Sequence, residues 1–275
     1  MSIDGVEGPM GFTEFAGRVA VITGAASGIG RAYAQQLGRL GMHLVLADIE
    51  ESALDAVASE LTATTGAASV TARVADVADE ASVGDLAAAA FAEHGTVHLL
   101  CNNAGVSLTR SLLDATTDDW RWLLGVNVWG VIHGITAFVP TMVERGERAH
   151  IGNTCSIASW TVVPGYGMYA ASKHAVAAIS EALAGDLAAV GAPIGVTAVC
   201  PSLVRTRLFS SERNREGGAA DTDEQRRIDA VTDGIQSPDE IAAAMIEGVR
   251  RGDAWVFPNR ERLDFVRERY ARILG

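Results

Sequence analysis

The fold of this chain is decided by the stretch Val19-Ala-Val-Ile-Thr-Gly-Ala-Ala-Ser-Gly-Ile-Gly30. Its first part, Val19–Thr23, predicts a buried strand, and the glycine-rich residues that follow predict a tight turn into a helix. Glycine lets the backbone approach a ligand closely, and a helix N-terminus offers free N–H groups to a phosphate. The stretch therefore predicts a dinucleotide site formed by Gly24, Ser27, Gly28, Ile29 and Gly30. Its spacing is G-x-x-x-G-x-G and not the common G-x-G-x-x-G, so an ordinary strand-to-helix turn stays open as the alternative.

Apolar, β-rich runs alternate with longer amphipathic runs along the rest of the chain. The predicted strands are Val19–Thr23, His43–Ala47, Ser69–Val74, Val97–Cys101, His150–Thr154, Gly195–Cys200 and Trp255–Phe257. The predicted helices cover residues 28–40, 50–64, 79–93, 116–144, 165–189 and 238–250. Apolar strands separated by helices predict an α/β fold, a doubly wound parallel sheet of about seven strands with helices on both faces. Ligands of such a sheet bind outside the carboxyl ends of its strands.

The length of 275 residues fits one domain of this class. We predict a flexible leader over residues 1–15, a single catalytic domain over 16–260, and a helical tail over 261–275 that packs on the same domain. The segment Arg205–Gln236 breaks the alternation, because it is rich in charge and glycine and has only a helical hint at Glu224–Ala230. A long segment of this kind is often a functional loop, and we predict that it is a substrate lid.

Composition excludes several classes of function. Hydrophobic residues make up 48% of the chain and the net charge is −12, so it has a large core and no basic surface for nucleic acid. Cys101, Cys155 and Cys200 are widely spaced and odd in number, which favours free thiols in a reducing, cytoplasmic compartment. The sequence shows no signal peptide and no run of 18 apolar residues, so we predict no membrane span.

Acidic and small residues follow the next strands, where a dinucleotide would continue. Asp48 ends the second strand and predicts contacts to the adenosine ribose hydroxyls, although a helix cap is the alternative. Because neither Ala26, Ser27 nor Ile49 offers a cation for a 2′-phosphate, the pattern favours NAD over NADP. Two further groups complete the predicted cofactor site, although the second of them could also form just a turn. They are Asp76 with Val77 after the third strand, and Asn103, Ala104 and Gly105 after the fourth.

The chain has one lysine, Lys173, and 21 arginines, so a position that keeps lysine needs something other than charge. Lysine is a compact ammonium whose proton can be exchanged, whereas arginine is a planar, permanently charged fork. Lys173 lies four residues after Tyr169, and on a helix the two side chains share a face. A cation beside a phenol lowers its pKa from about 10. The pair therefore predicts a tyrosine general acid or base, and a solvated charge beside a packed ring is the alternative.

With these pieces in order, the chain resembles the short-chain dehydrogenase/reductase family, over essentially residues 16–260. The motifs that carry the resemblance are Thr23–Gly30, Asn102–Gly105, Asn127 in Asn-Val-Trp-Gly, Ser156, Tyr169 with Lys173, and Pro201–Thr206. The family's catalytic serine lies thirteen residues before its tyrosine, which selects Ser156 over Ser159. Tyr166 has no lysine four residues on, so the resemblance assigns catalysis to Tyr169 and leaves Tyr166 to the pocket.

The resemblance implies a Rossmann fold and a role for each matching residue. Tyr169 would exchange the substrate's hydroxyl proton, and Ser156 would hydrogen-bond its oxygen. Lys173 would lower the pKa of Tyr169 and contact the nicotinamide ribose, and Asn127 would support a water that links Lys173 to solvent. Pro201, Val204 and Thr206 would contact the cofactor. Cys155 and Ser202 depart from the family's usual residues, and serine at 202 narrows the cleft beside the nicotinamide.

Other catalytic classes have little support in the sequence. His94 and His98 are four residues apart but are separated by Gly95 and the start of a strand, so we predict no metal site. No Gly-x-Ser-x-Gly motif is present, which removes the simple hydrolase interpretation.

We therefore predict an NAD-dependent oxidoreductase that interconverts a secondary alcohol and a ketone. A small-molecule substrate that is apolar and of moderate size fits the side chains near the catalytic positions, which could equally be core and lid packing. These are Ser156, Trp160, Val162, Val163, Tyr166, Leu203, Leu208 and Phe209. The alternatives are an NADP-dependent carbonyl or oxoacyl reductase and a non-catalytic NAD-binding sensor. The family usually forms homotetramers through two long helices, and we expect one here.

Overall fold

The computed structural model describes residues 10–215, 217, 218, 226, 230 and 234–275. In this part of the chain seven parallel strands form one sheet in the order β3-β2-β1-β4-β5-β6-β7. The strands are β1 (Val19–Thr23), β2 (His43–Asp48), β3 (Ser69–Val74), β4 (Leu99–Asn102), β5 (Ala149–Thr154), β6 (Ile194–Val199) and β7 (Trp255–Val256). The predicted doubly wound sheet is confirmed, and the strand order reverses between β1 and β4.

Helices cover both faces of the sheet. They are α1 (Gly28–Arg39), α2 (Glu51–Thr64), α3 (Glu80–His94), α4 (Thr117–Leu124), α5 (Gly130–Arg145), α6 (Gly167–Ala189), α7 (Pro238–Arg251) and α8 (Leu263–Leu274). Alternate residues of a strand point to opposite faces. Ala20 and Ile22 of β1 therefore pack with α1, α2 and α7, whereas Val19 and Val21 pack with α3, α5 and α6. This double burial explains why the strands are apolar throughout.

The helix predicted over residues 116–144 is divided into two. A π-helical turn, Gly125–Trp129, separates α4 from α5 and contains the buried Asn127. The amide of Asn127 accepts a hydrogen bond from Val106 N at 2.8 Å and donates one to Val106 O at 3.0 Å. This pairing with a neighbouring loop holds the wider turn, and single-turn π-bulges often mark functional sites.

Among the described residues, the 29-residue segment Thr117–Arg145 is long and apolar enough by composition to cross a membrane. Its side chains Phe138 and Met142 are buried in the cluster that also contains Leu86 and Ala87 of α3. Packing inside the domain therefore accounts for the apolar composition of this segment.

The predicted flexible leader is corrected for residues 10–15. The rings of Phe12 and Phe15 are buried and meet edge to face with centroids 5.2 Å apart. The backbone N–H of Phe12 donates to the carbonyl oxygen of Val249 in α7 at 2.9 Å. These aromatic side chains anchor the stretch to the core, and residues 1–9 lie outside the described residues.

The segment predicted as a lid, Arg205–Gln236, begins and ends at one point of the domain. Arg205 N donates to Gln236 O at 3.0 Å, and Gln236 N donates to Leu203 O at 3.0 Å. The described part after this base forms a short 3₁₀ helix, Leu208–Asn214. The helical hint at Glu224–Ala230 falls mainly on residues outside the described part of the chain.

Candidate active site

A cavity of about 760 Å³ opens at the carboxyl ends of the strands, where the strand order reverses. The loops after β1 to β6 form its floor, and the lid segment and α8 contribute to its walls. This is the position where ligands bind in doubly wound sheets. One cavity thus brings together the predicted cofactor and catalytic residues.

The turn after β1 is shaped to receive an elongated ligand. Gly24 has a φ of +67°, and a Cβ on it would lie 2.8 Å from the Cα of Ala104. Gly24, Ser27, Gly28 and Ile29 line the cavity. Gly30 does not itself line the cavity and packs against the carbonyl group of Gly24, so its predicted contact with the cofactor stays a prediction. Its missing side chain allows α1 to approach the turn.

Asp48 lies at the end of β2 on the cavity wall. Its carboxylate accepts hydrogen bonds from Ala26 N at 2.9 Å and Glu50 N at 3.0 Å. These bonds fix the carboxylate beside the glycine turn, where an acid can accept ribose hydroxyls. The N-cap residue of α2 is Glu50, and Asp48 contacts the N–H of that residue without capping the helix.

Two cations that the sequence analysis overlooked lie beside Asp48. Glu50 accepts hydrogen bonds from Arg213 at 2.5 Å, Arg207 at 3.2 Å and Asn214 at 3.1 Å. Burial alone would raise the pKa of Glu50, but the bonds from Asn214 and Arg213 and the charge of both arginines lower it. These partners stand about 160 residues along the chain, so local sequence around Asp48 carries no signal of them.

The predicted adenine and nicotinamide segments also line the cavity. Asp76, Val77, Asn103, Ala104 and Gly105 are all on its surface. The Asn103 side chain donates to the carbonyl oxygen of Thr23 at 2.9 Å, so the loop after β4 is tied to the end of β1. Asp76 accepts a hydrogen bond from Ala78 N at 2.9 Å, and its other carboxylate oxygen has no hydrogen-bond partner among the described residues.

The predicted catalytic side chains meet at the ends of β5 and α6. The hydroxyl group of Ser156 lies close enough to that of Tyr169 to lower the pKa of the phenol. The ammonium group of Lys173 lies 5.8 Å from the centroid of the Tyr169 ring and donates to the carbonyl oxygen of Thr154 at 2.8 Å. Ser156 and Lys173 are buried, Tyr169 is half-buried, and all three line the cavity. This arrangement presents two hydroxyls and one ammonium to a bound molecule.

Burial is the largest influence on the pKa values of Tyr169 and Lys173. It raises the pKa of Tyr169 to about 12, against a lowering by the Ser156 hydroxyl. Burial also lowers the pKa of Lys173. The expected lowering of the pKa of Tyr169 by Lys173 is thus corrected. The reason is geometric, because the ammonium lies beside the ring and points to Thr154.

Asn127 holds the site from behind and does not line the cavity. Besides its two bonds to Val106, its amide donates to the hydroxyl of Ser172 at 3.0 Å. A Cβ on Gly105 would lie 3.3 Å from the Asn127 side-chain oxygen and 3.6 Å from the Lys173 nitrogen. Asn127 therefore positions the loop that faces Lys173. The predicted water-supporting role is not visible in these bonds and stays a prediction.

Apolar side chains line the cavity beyond the catalytic residues. They include the predicted Val162, Val163, Tyr166, Leu203, Leu208 and Phe209. The rings of Tyr166 and Phe209 meet edge to face with centroids 6.3 Å apart. The prediction for Trp160 is wrong, because its ring packs against Trp255 with centroids 5.0 Å apart and is not on the cavity surface.

The sequence analysis missed part of the cavity wall. Trp122 of α4 and several residues of the C-terminal helical region line the cavity, namely Arg262, Phe265, Glu268, Arg269 and Arg272. The position of α8 after the last strand, and its lack of a known motif, did not indicate that it lines the cavity. The signal that could have indicated it is the spacing of its arginine and aromatic residues, which places them on one face of a helix.

A dinucleotide fits the residues present. The glycine cradle would be filled by a Cβ at Gly24, and the predicted Pro201, Val204 and Thr206 lie on the cavity surface. Beside them the Ser202 hydroxyl is buried without a hydrogen-bond partner among the described residues. Such a group can serve a polar ligand. The described residues contain no group of three metal-ligating side chains.

Three comparisons with known proteins agree with this geometry. Residues 18–217 match the family model of the short chain dehydrogenases. The 1-deoxy-11-beta-hydroxypentalenate dehydrogenase of Streptomyces exfoliatus is 39% identical over 207 residues, which is 74% of each chain. A short chain dehydrogenase/reductase from Burkholderia phymatum in complex with NAD is 39% identical with a TM-score of 0.89, covering 95% of this chain and 96% of that one. A short-chain dehydrogenase from Sphingobium yanoikuyae in complex with NADPH is 26% identical with a TM-score of 0.76, covering 94% of each chain.

Proposed function

This chain belongs to the short chain dehydrogenase family of oxidoreductases, and we propose that it interconverts a secondary alcohol and a ketone with NAD. The observation that carries the proposal is the Ser156, Tyr169 and Lys173 cluster in the same cavity as the glycine turn. Oxidation of an alcohol needs a base within hydrogen-bond reach and a donor for the developing alkoxide. Tyr169 and Ser156 supply these two groups.

In the proposed reaction Tyr169 accepts the hydroxyl proton of the alcohol, and in the reverse direction it returns that proton to the ketone oxygen. Ser156 donates a hydrogen bond to the same oxygen. The glycine turn and Asp48 would hold NAD, which would supply a hydride acceptor for the carbinol carbon. Lys173, held by Thr154, keeps a positive charge beside the phenol as it loses its proton. Asn127 holds the loop opposite Lys173.

The preference for NAD rests on Asp48, whose carboxylate would repel a 2′-phosphate. The NAD-bound relative from Burkholderia phymatum supports this choice, and the NADPH-bound relative from Sphingobium yanoikuyae supports the alternative. Arg207 and Arg213 lie near Asp48, but Glu50 neutralises them. Titration of the protein with NADH and NADPH tests the choice, and tighter binding of NADPH would support the alternative reductase.

The substrate we propose is apolar and of moderate size. The cavity wall beyond Tyr169 is formed mainly by Val162, Val163, Tyr166 and Phe209. One relative is named for a hydroxypentalenate, which is an alcohol that also carries an acid group. A panel of secondary alcohols followed by NADH absorbance tests the proposal. Absence of turnover with every alcohol and both dinucleotides, while NAD still binds, would favour the non-catalytic sensor.

We also propose a cytoplasmic homotetramer. The described cysteines Cys101, Cys155 and Cys200 are buried free thiols, which suits a reducing compartment. The long helix α6 is rich in alanine, and small residues allow a second helix to approach closely. Light scattering tests the assembly, and a mass near 28.8 kDa would contradict it.

A further inference from the structure

The C-terminal helix presents one stripe of side chains to the catalytic cavity. Arg262, Phe265, Arg269 and Arg272 are spaced by three or four residues, so they share a face. All four line the cavity, together with Glu268. None of the residues of α8 is buried in the core. Core packing therefore does not account for this arrangement, and the stripe is free to contact a molecule in the cavity.

The arginines of this stripe differ from the other arginines of the cavity. Arg207 and Arg213 form ion pairs with Glu50, and Arg215 forms one with Asp119. Within the described part of the chain, the salt-bridge geometry gives no acidic partner to the three arginines of the stripe. Arg267, on another side of the same helix, is paired with Asp264 at 2.8 Å.

Among the described residues, the contacts of the stripe arginines are with aromatic rings and a carbonyl oxygen, which do not neutralise their charge. Arg262 lies over the ring of Phe265 at 5.6 Å, and Arg269 lies over the ring of Tyr270 at 5.4 Å. Arg269 also donates to the carbonyl oxygen of Trp160 at 3.1 Å, which holds its guanidinium at the cavity wall. Counting the described lining residues of the C-terminal helical region, three arginines and Glu268 give this end of the cavity a formal charge of +2, in a protein whose net charge is −12.

From this placement, and resting on the proposed function, we propose that the substrate carries an anionic group, a carboxylate or a phosphate, bound by Arg262, Arg269 and Arg272. Guanidinium groups bind both kinds of oxygen anion with paired hydrogen bonds. The apolar wall between Tyr169 and the stripe suits a hydrocarbon body. The substrate class is therefore an apolar secondary alcohol, or its ketone, with an anionic group remote from the reacting carbon.

Binding without turnover is the first test. Calorimetry compares octanoate, the isosteric neutral octanamide and octyl phosphate, which carries a phosphate in place of the carboxylate. We expect octanoate or octyl phosphate to bind at least about tenfold more tightly than octanamide, as charge-assisted hydrogen bonds allow. The preferred anion identifies the source of the charge. Equal binding of all three molecules would overturn the proposal.

Substitutions test whether the arginines of the stripe cause the preference for an anion over a neutral amide. Arg269→Gln and Arg262→Gln should each reduce the anion preference about tenfold or more, and added salt should weaken it in the wild type. Arg267→Gln is the matched control on the same helix and should keep the preference. Equal loss of octanoate and octanamide binding in Arg269→Gln would show a structural role and contradict the proposal.

Turnover separates this inference from the proposed function. The two reactive probes are hydroxyoctanoate, with its hydroxyl on the carbon before the terminal methyl, and the matching hydroxyoctanamide. A higher kcat/KM for the acid than for the amide, which results from a lower KM and is reduced in Arg269→Gln, supports both the oxidoreductase reaction and the anion site. Equal kcat/KM values for acid and amide would overturn the inference and leave the oxidoreductase reaction standing. Arg269-dependent binding of octanoate with no oxidation of any alcohol would overturn the proposed reaction and leave the anion site standing.

Discussion

The carboxylate of Glu50 is held by the guanidinium of Arg213 at 2.5 Å across 163 residues of sequence. Glu50 follows the strand that carries Asp48, and Arg213 lies in the 3₁₀ helix of the predicted lid. The pair therefore links the adenosine end of the predicted cofactor site to the predicted lid. It also neutralises cations that would otherwise stand beside Asp48.

Glu50→Gln should shift cofactor preference towards NADP(H). Without the carboxylate, Arg207 and Arg213 keep an uncompensated charge near Asp48 that favours a 2′-phosphate. We expect the ratio of NADPH to NADH affinity to rise about threefold to tenfold, the range of partly exposed charge pairs. Fluorescence titration with both dinucleotides measures it. Glu51→Gln, an exposed neighbour, is the control and should leave the ratio unchanged; an equal shift in both variants would remove the role given to Glu50.

The lid should be opened by the same substitution. Glu50→Gln removes two ion pairs and a bond from Asn214 that hold the 3₁₀ helix to the domain. We expect limited proteolysis within Arg205–Gln236 to be faster in the variant, and to be slowed in the wild type by NAD with substrate, because closure excludes the protease. Mass spectrometry of the fragments locates the cuts. Cutting rates that ignore both the variant and the ligands would rule out a lid.

Lys173→Arg should reduce kcat by about a hundredfold or more, in the range that general acid–base groups supply. Lys173 is buried and donates to Thr154 O, and the loop at Gly105 leaves little room around its nitrogen. A larger, permanently charged fork fits this space poorly and exchanges no proton. Steady-state kinetics with a thermal unfolding control measures the loss. The exposed Arg121→Lys serves as the reverse substitution and should keep full activity; full activity in Lys173→Arg would refute the assignment.

Alcohol oxidation should accelerate as the pH rises. The pKa of Tyr169 is raised to about 12, so the phenol is protonated at neutral pH and the base form grows about tenfold per pH unit below that value. Reduction needs the protonated form and should be flat over the neutral range. Because the Ser156 hydroxyl lowers this pKa, Ser156→Ala should move the inflection of kcat/KM to higher pH, besides reducing the rate. An inflection below neutral pH in the free enzyme would contradict the assignment of Tyr169 as the base.

Asp119→Ala should destabilise the protein by about 3 kcal/mol at neutral pH, the usual effect of breaking a buried ion pair. The buried Asp119 accepts hydrogen bonds from Arg215 at 2.6 Å and from Arg110 at 2.7 Å. Burial alone would raise its pKa, but the bonds from Arg215, Thr116 and Arg110 lower it. A lowered pKa contributes stability above the usual aspartate value of about 4 and loses it as the pH falls.

Urea unfolding at several pH values tests this. The difference between Asp119→Ala and the wild type should shrink below about pH 4. Asp118→Ala, whose pair with Arg121 is exposed, should cost less than about 1 kcal/mol. Equal losses in the two variants would mean that burial of Asp119 contributes nothing.

The strands and most helices were predictable because each is bounded by strong local signals. β1 and β3 begin and end at the predicted residues, and α7 begins at Pro238 behind a capping box formed by Ser237 and Glu240. The π-helical turn around Asn127 was not predictable, since one wider turn changes the apolar periodicity too little. Phe12 and Phe15 were assigned to a leader because two aromatic residues without a regular period give no signal of packing.

The site was predictable where one motif carries several functional residues. The glycine turn and the Tyr169–Lys173 spacing locate the floor of the cavity. Trp160 follows the catalytic serine closely, but its ring turns towards Trp255, and side-chain direction after an irregular turn has no sequence signature. Arg213 and Arg269 reach the cavity from distant parts of the chain, and only the tertiary fold brings them there.

The three buried cysteines can report how often the centre of the sheet opens. Cys101, Cys155 and Cys200 lie on three adjacent strand ends or interiors, each at most 2% exposed. The neighbouring Cys155 thiol and burial raise the pKa of the Cys200 thiol, which keeps it unreactive in the folded protein. A thiol reagent therefore reads how often the centre of the sheet separates. Because Cys155 directly precedes Ser156, the rate of labelling at Cys155 measures how often the backbone around the catalytic serine opens.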